Sequence, residues 1–260
     1  MRIALIGAGN VATHLGAALC HAGYHLVQIY SHTMASAQLL GNKLNVPYTD
    51  DVENLTKEAD LYLVAIKVAV LAEFIPQLVT GRENAFFVHT AGSMPMDIWK
   101  DYATHYGVLY PMQTFSKQRE VDFTTVPFFV EASTKEDLQI LKKMGLDLGS
   151  NFYEVNSEQR KKLHLAAVFA CNFANHMYAL SAEILEKEGI PFEVMESLID
   201  ETARKVHELS PVQAQTGPAV RYDTNVMERQ LALLADEPEM QDIYQKVSDS
   251  IHRLALKQQK

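Results

Sequence analysis

Only two of the 260 residues are cysteines, Cys20 and Cys171. Two thiols build no disulfide framework, and no Cys/His spacing of a zinc site is present. Both lie in apolar helical patterns and read as reduced core thiols. Basic tracts are missing too. Against 23 Lys and Arg stand 32 Asp and Glu, a formal net charge of -9. An acidic chain without a basic stripe is poorly suited to nucleic acid or an anionic membrane surface, so neither is expected as a partner. His21 and His25 stand four apart, but Gly23 lies between them and no carboxylate pattern joins them, so no metal motif is read. No apolar run approaches the length that spans a bilayer. The opening residues, Met1-Arg2-Ile3-Ala4-Leu5-Ile6, run straight into a glycine turn and are too short for a signal-peptide core. The expectation is a cytoplasmic protein.

What is present is an alternation of short apolar runs and helical patterns. Strands are expected at Ile3–Ile6, Leu26–Tyr30, Leu61–Ile66, Ala85–His89, Gly107–Tyr110, Pro127–Glu131 and Phe152–Val155. Most are continuously apolar, the pattern of parallel strands buried on both faces. Helices are expected near Val11–His21, Ala35–Leu44, Val70–Leu78 and Lys135–Leu148. Strand–helix–strand repetition predicts an α/β doubly wound parallel sheet. After Val155 no strand pattern returns. Ser157 is the expected N-cap of a long helix to about Glu188, ended by Gly189. Pro191 opens a helix to about Leu209, and Pro211, Gly217 and Pro218 mark a loop. Helices follow near Asn225–Leu234 and Glu239–Lys257. The reading is a nucleotide-binding Rossmann domain over 1–155 and an all-α domain over 156–260.

The first glycine turn carries chemistry. Gly7-Ala8-Gly9-Asn10-Val11-Ala12 follows a strand and opens a helix. In a G-x-G-x-x-A turn the first glycine permits the bend, the second lets the backbone approach a pyrophosphate, and the third position allows close helix–strand packing. The helix then presents free N–H groups to phosphate. An NAD site would place a carboxylate at the end of the second strand, on the ribose. Here Tyr30 is followed by Ser31-His32-Thr33, which repel no 2′-phosphate and can donate to it, so NADP is favoured over NAD. Thr33 is also a plausible N-cap. Two further strand ends face the same ligand edge: Ile66-Lys67, and His89-Thr90-Ala91-Gly92-Ser93, where a nicotinamide is expected.

Three segments extend this reading by resemblance: His89–Ser93, Tyr110-Pro111-Met112-Gln113-Thr114-Phe115-Ser116, and Thr216-Gly217-Pro218-Ala219-Val220-Arg221-Tyr222-Asp223. They resemble a family of NADP oxidoreductases in which a Rossmann-like domain precedes a helical domain of unassigned function. The N-terminal part is similar to deazaflavin-dependent NADP oxidoreductases and pyrroline-5-carboxylate reductases. The helical part looks like the C-terminal domain of the 6-phosphogluconate dehydrogenase superfamily. The chain departs from the family with Tyr110 and Gln230 where His is usual, Tyr222 where Gly is usual, and Lys67-Val68 in place of a Pro-Asp turn. By analogy with such helical domains, a homodimer is expected.

The expected substrate site lies on the long helix. His164, Asn172 and Asn175 fall within an arc of roughly 80° at 100° per residue, with Lys161 about 60° to one side of His164. A polar stripe among Leu163, Leu165, Ala166, Val168, Phe169 and Phe173 needs a cleft or buried partners. In the first case His164 or Lys161 delivers a proton, Asn172 serves catalysis, and Asn175 holds a carbonyl or carboxylate. In the second, the stripe satisfies itself inside a bundle. In the dehydrogenases that the helical part resembles, the corresponding helix supplies a Lys and an Asn to catalysis; here Ala166 stands where the Asn one turn after Lys162 belongs. Ser93 and Arg221 are further candidates for holding substrate, Arg221 through its bidentate fork. The alternative for Arg221 is an ion pair with Asp223. Met177 and Tyr178 read as core. The expected function is NADP-dependent hydride transfer to a small carbonyl, imine or deazaflavin substrate in an interdomain cleft. A non-catalytic NADP-binding sensor is the competing reading, and a nucleotide-binding methyltransferase fits the Ala12 spacing and the helical tail less well.

Overall fold

The strand Arg2–Ile6 (β1) shows how the sheet is held. Ile3 and Leu5 enter one hydrophobic layer, Ala4 and Ile6 the other, and all four are fully buried. A strand covered on both faces must be apolar at every step. Each buried Ile or Leu contributes ~1.5–3 kcal/mol. The computed structural model describes residues 1–258. Seven strands join β1: His25–Tyr30 (β2), Tyr48–Thr49 (β3), Leu61–Val64 (β4), Phe86–His89 (β5), His105–Pro111 (β6), Phe128–Ala132 (β7) and Phe152–Glu154 (β8). Their order is β3-β2-β1-β4-β5-β6-β7-β8. The order reverses beside β1, the switch point at which open α/β sheets bind ligands.

Two features correct the expected sheet. β3, only two residues long, pairs with Ile29 and Tyr30 at the edge and is too short to leave a pattern. β6 and β7 run antiparallel, with Tyr110 opposite Phe129. A parallel pair needs a crossover, usually a helix. The connection 112–127 holds only the 3-10 turn Phe123–Thr125, so the chain returns beside itself. The other pairs are parallel. Helices Asn10–His21 (α1), Met34–Leu44 (α2), Val68–Val79 (α3) and Lys135–Asp147 (α4) accompany the sheet.

Irregular chain between β3 and β4 is organised by one side chain. Arg82, 6% exposed, directs its fork at carbonyls alone. Nε donates to Thr56 O at 3.0 Å and Nη1 to Leu78 O and Thr80 O, each at 3.1 Å. Nη2 donates to Val52 O at 3.2 Å and Leu55 O at 2.6 Å. Arg82→Met keeps the apolar stem but leaves these acceptors unpaired, so we expect a loss of ~3 kcal/mol or more of unfolding free energy. Urea denaturation of the two proteins checks it.

The chain divides into two compact units, Met1–Asn172 and the residues from Phe173 onward. The first keeps the helix Ser157–Ala167 (α5). Its N-cap is Asn156 rather than Ser157: Asn156 Oδ1 accepts from Gln159 N–H and Gln159 Oε1 from Asn156 N–H, each at 2.9 Å. The helix expected to run to Glu188 is interrupted by a π turn over Val168–Phe173 before Ala174–Lys187 (α6). The second unit continues with Glu196–Glu208 (α7), Pro211–Ala214 (α8), Pro218–Arg221 (α9), Thr224–Ala232 (α10) and Pro238–Gln258 (α11). α8 and α9 lie where a loop was expected. Each opens on proline, which the first helical turn accepts because its N–H groups have no intrahelical partner.

Three further expectations fail. Cys171 is exposed, and Met177 and Tyr178 are each 37% exposed rather than core. The helical pattern marks an apolar face, but burial depends on what covers that face. No Arg221–Asp223 ion pair forms among the described residues. Asp223 instead caps α10, accepting from Val226 N–H at 3.4 Å. No helix among the described residues is long and apolar enough to cross a membrane.

Candidate active site

Gly7 and Gly9 are glycines for different reasons. Gly7 has φ +117°, and a Cβ there would lie 2.4 Å from Ala65 O. Its N–H donates to Tyr30 O at 2.7 Å, so the turn is wedged between β2 and the residue after β4. Gly9 has an ordinary φ of -78°, and a Cβ there would meet nothing within 4 Å. The protein itself would accept a side chain at Gly9, so the bare position matters only to something lying in the space beside it. No side chain caps α1 at that end. The first-turn N–H groups and the positive end of the helix dipole therefore face the same space, which fits a pyrophosphate. Val11 packs half-buried on the core. Asn10 ties its amide to Phe115 O at 2.7 Å, and His14 Nε2 meets Ser116 O at 2.9 Å, so the segment after β6 lies on the first turns of α1.

A cavity of about 550 Å³ opens from this turn. Gly7, Ala8, Gly9, Ser31 and His32 form one side, and Ile66, Lys67 and Phe74 belong to the same lining. Phe74 stacks on Tyr30 with ring centroids 5.3 Å apart. Glu73 also lines the cavity, opposing the charge of Lys67. Thr33 is not part of this lining. It occupies the N-cap of α2, but its hydroxyl donates to Ser36 Oγ at 2.9 Å and caps no N–H.

The other half of the site follows β5. Thr90 is pinned by its N–H, 3.1 Å from Val64 O, and Ala91 N–H donates to His89 Nδ1 at 3.1 Å. Gly92 comes next, and beside it the structure joins two residues far apart in sequence. Tyr110 Oη lies 3.1 Å from His164 Nδ1, with the rings edge to face. A Cβ on Gly92 would stand 2.8 Å from both His164 Nδ1 and Tyr110 Cζ. Burial, and then the neighbouring Cys171, raise the Tyr110 pKa above the usual phenol value. In the sequence Tyr110 marks a strand end and a departure from a family histidine, with no role of its own. A tyrosine ending a buried strand, one residue from the ligand edge, is the signal that could have marked it.

The remaining candidates are dispersed. Ser93 is exposed in the loop after β5. Lys161 is 40% exposed and paired with Glu158 at 2.7 Å. Asn172 is exposed within the π turn. A π turn advances less than 100° per residue, so the arc expected for His164, Asn172 and Asn175 does not survive it. Asn175 on α6 and Arg221 at the end of α9 are exposed side chains of the second unit.

His89 is fully buried and acts on the loop. Nε2 donates to Pro95 O at 3.4 Å while Nδ1 accepts from Ala91. Burial, reinforced by the Arg160 charge, lowers its pKa from 6.5 to about 3. Below pH ~6.5 the unfolded chain takes up a proton that the folded chain refuses. Stability from this group is therefore intact above that pH and lost as the pH falls toward 3, at up to ~1.4 kcal/mol per pH unit. His89→Gln is expected to flatten that part of the curve, as measured by urea unfolding at pH 7 and pH 4.5.

With this geometry in place, comparison with known proteins identifies the parts. A Rossmann-like domain model matches residues 1–112, and a domain of unknown function, DUF2520, matches residues 126–251. No curated protein matches the chain. The crystal structure of a putative NADP oxidoreductase from Bacteroides fragilis is 56% identical, covering 97% of this chain and 98% of that one, with a TM-score of 0.93. An imine reductase from Myxococcus stipitatus in complex with NADP+ is 19% identical over 99% of this chain and 93% of that one, with a TM-score of 0.69. A 1-pyrroline-5-carboxylate reductase from Streptococcus pyogenes is 14% identical over 97% and 98%, with a TM-score of 0.64. These last two likenesses are of fold.

Proposed function

The chain belongs to the family of the Bacteroides fragilis NADP oxidoreductase, a Rossmann-like domain followed by DUF2520, and from that premise we propose that it uses NADPH to reduce a small carbonyl or imine substrate bound beside Gly92. The observation that carries the reading is the Tyr110–His164 pair at 3.1 Å against Gly92, beyond the same ends of the parallel strands as the nucleotide turn. A nicotinamide bound there would supply a hydride to the substrate carbon. The chain does the rest. First-turn N–H groups of α1 hold the pyrophosphate. Ser31, His32 and Lys67 receive the 2′-phosphate, and no carboxylate at the end of β2 repels it. The raised pKa of Tyr110 keeps its phenol neutral, so its oxygen can accept the Nδ1–H of His164 in the imidazolium form and turn Nε2–H toward the substrate. His164 would then pass the Nε2 proton to the oxygen or nitrogen that the hydride leaves electron-rich, and remain as neutral imidazole.

NADPH oxidation with a panel of cyclic imines, oxo acids and deazaflavins tests this. At least one class should consume NADPH, and NADPH should bind at least about tenfold more tightly than NADH, ~1.4 kcal/mol. Tight NADPH binding with no turnover across the panel would favour the sensor reading.

The second unit supports a homodimer within the same proposal. Among its described apolar residues only Ala219, Met227 and Met240 are buried, while Leu198, Val206 and Leu209 on or beside α7 are 46–61% exposed. A helical unit so short of core needs a further surface, and a second copy provides one. Sedimentation should give twice the chain mass, and L198E with V206E should halve it. The free thiols Cys20 and Cys171 suit the reducing cytoplasm, where we place the protein.

A further inference from the structure

The geometry points to the buried Arg160–Glu131 pair as a positioning device that locks the loop Gly92–Met96 to the first turn of α5 and so sets His164 against Gly92. Its catalytic consequence rests on the role given to His164 above. Its structural claim does not.

Arg160 is completely buried. Nη1 donates to Glu131 Oε2 at 2.5 Å, and Nη2 to Met94 O at 2.5 Å and Ser157 Oγ at 3.2 Å. Its Nε has no partner among the described residues. Glu131, on β7, also accepts the Ser157 N–H at 3.0 Å and the Ser157 hydroxyl at 2.8 Å. Ser157 Oγ in turn accepts from Met96 N–H at 2.9 Å. One cluster thus ties together a strand, a helix start and the loop that carries Gly92.

Neither helix capping nor stability accounts for it. α5 is already capped by the reciprocal Asn156–Gln159 bonds. Buried ion pairs add little net stability, because desolvation of both charges offsets their attraction, and apolar replacements of similar volume are often no worse. What the cluster does supply is position. His164 follows Arg160 by four residues, one helical turn on the same face. Gly92 precedes Met94 by two residues. The anchors therefore sit next to the two groups whose contact is so close that a methyl on Gly92 would be 2.8 Å from the imidazole. His89 holds the same loop from the β5 side, through Pro95 O and Ala91 N–H. Without Arg160 the loop would keep its tie to the sheet and hold the helix only through the Met96–Ser157 bond.

The test compares wild type with Arg160→Met, the double variant Arg160→Met/Glu131→Leu, and Tyr110→Phe. Thermal midpoint, NADPH titration and the imidazole ¹⁵N resonances of His164 are read for each. Arg160→Met should melt earlier, because it leaves the partly buried Glu131 carboxylate without its counter-charge, and the double variant should recover the midpoint. In the double variant the His164 Nδ1 resonance should nevertheless move to its position in Tyr110→Phe. Turnover of any imine or oxo acid that wild type reduces should fall ~10²-fold, the scale of a 1 Å misplacement. NADPH affinity should stay within about twofold. A double variant with a wild-type Nδ1 resonance would overturn the inference and leave the pair a purely structural feature. A displaced resonance with unchanged turnover would uphold the positioning and count instead against His164 as proton donor. If the double variant does not fold, Glu131→Gln keeps the shape and, through its single amide oxygen, one of the two Ser157 contacts. It should then show the same displacement at smaller size, and its absence would overturn the inference.

Discussion

Gly9→Ala is expected to weaken NADPH binding by about tenfold to a hundredfold, ~1.4–2.8 kcal/mol, while leaving the melting temperature unchanged. The same substitution at Gly7 should do the reverse damage. At Gly9 the added methyl meets no protein atom within 4 Å and the backbone is ordinary, so nothing in the fold resists it. The methyl occupies the space into which the first-turn N–H groups of α1 point, where a pyrophosphate must come close to the chain. At Gly7 the methyl would stand 2.4 Å from Ala65 O at φ +117°. Left-handed strain and overpacking together should destabilise the domain by ~3 kcal/mol or more. Melting curves and a fluorescence titration on the two variants separate a binding glycine from a folding glycine. A Gly9→Ala protein that binds NADPH as wild type does would remove the pyrophosphate from this turn.

His164→Ala is expected to lower kcat by ~10²–10⁴-fold, the usual worth of a general acid. NADPH affinity should hardly move, because His164 is absent from the lining of the nucleotide cavity. Tyr110→Phe keeps the ring and loses only the bond to Nδ1, so its loss of kcat should be smaller, ~10-fold. Because the Tyr110 phenol titrates above its usual range, it should place no alkaline limit on the rate below pH ~10. Stopped-flow NADPH oxidation with a substrate found in the panel, beside NADPH titration, checks both variants. Collapse of NADPH binding in a folded His164→Ala protein would show that the residue belongs to the cofactor site instead.

The clustering of the proposed nucleotide half was legible because its signals are local. Gly7, Gly9, Ser31, His32, Ile66 and Lys67 were marked by their place at the ends of apolar runs, and the structure gathers all six around one cavity. Thr33 was marked by the same rule and lies outside that lining, since its hydroxyl turned to Ser36. The half of the site proposed to be catalytic was only partly legible. His164 stood out as a polar group on an apolar helix, but its partner Tyr110 is 54 residues away on another element. Lys161 was singled out on the same helix, and its nearest carboxylate, Glu158, holds it at the surface. Asn172 and Asn175 were placed by assuming a uniform helix, which the π turn over Val168–Phe173 breaks.

By itself, the sequence determined the parallel strands, the glycine turn and the helical character of the second half. Apolar periodicity, turn chemistry and helix-stop residues act over a few positions and survive any tertiary arrangement. The tertiary structure alone decided that β7 returns antiparallel to β6, that Tyr110 meets His164 over Gly92, and that Arg160 is buried against Glu131. Those outcomes depend on which elements come to lie together. A buried charge or a 3.1 Å side-chain bond is set by packing between distant segments, for which a single chain of letters carries no local sign.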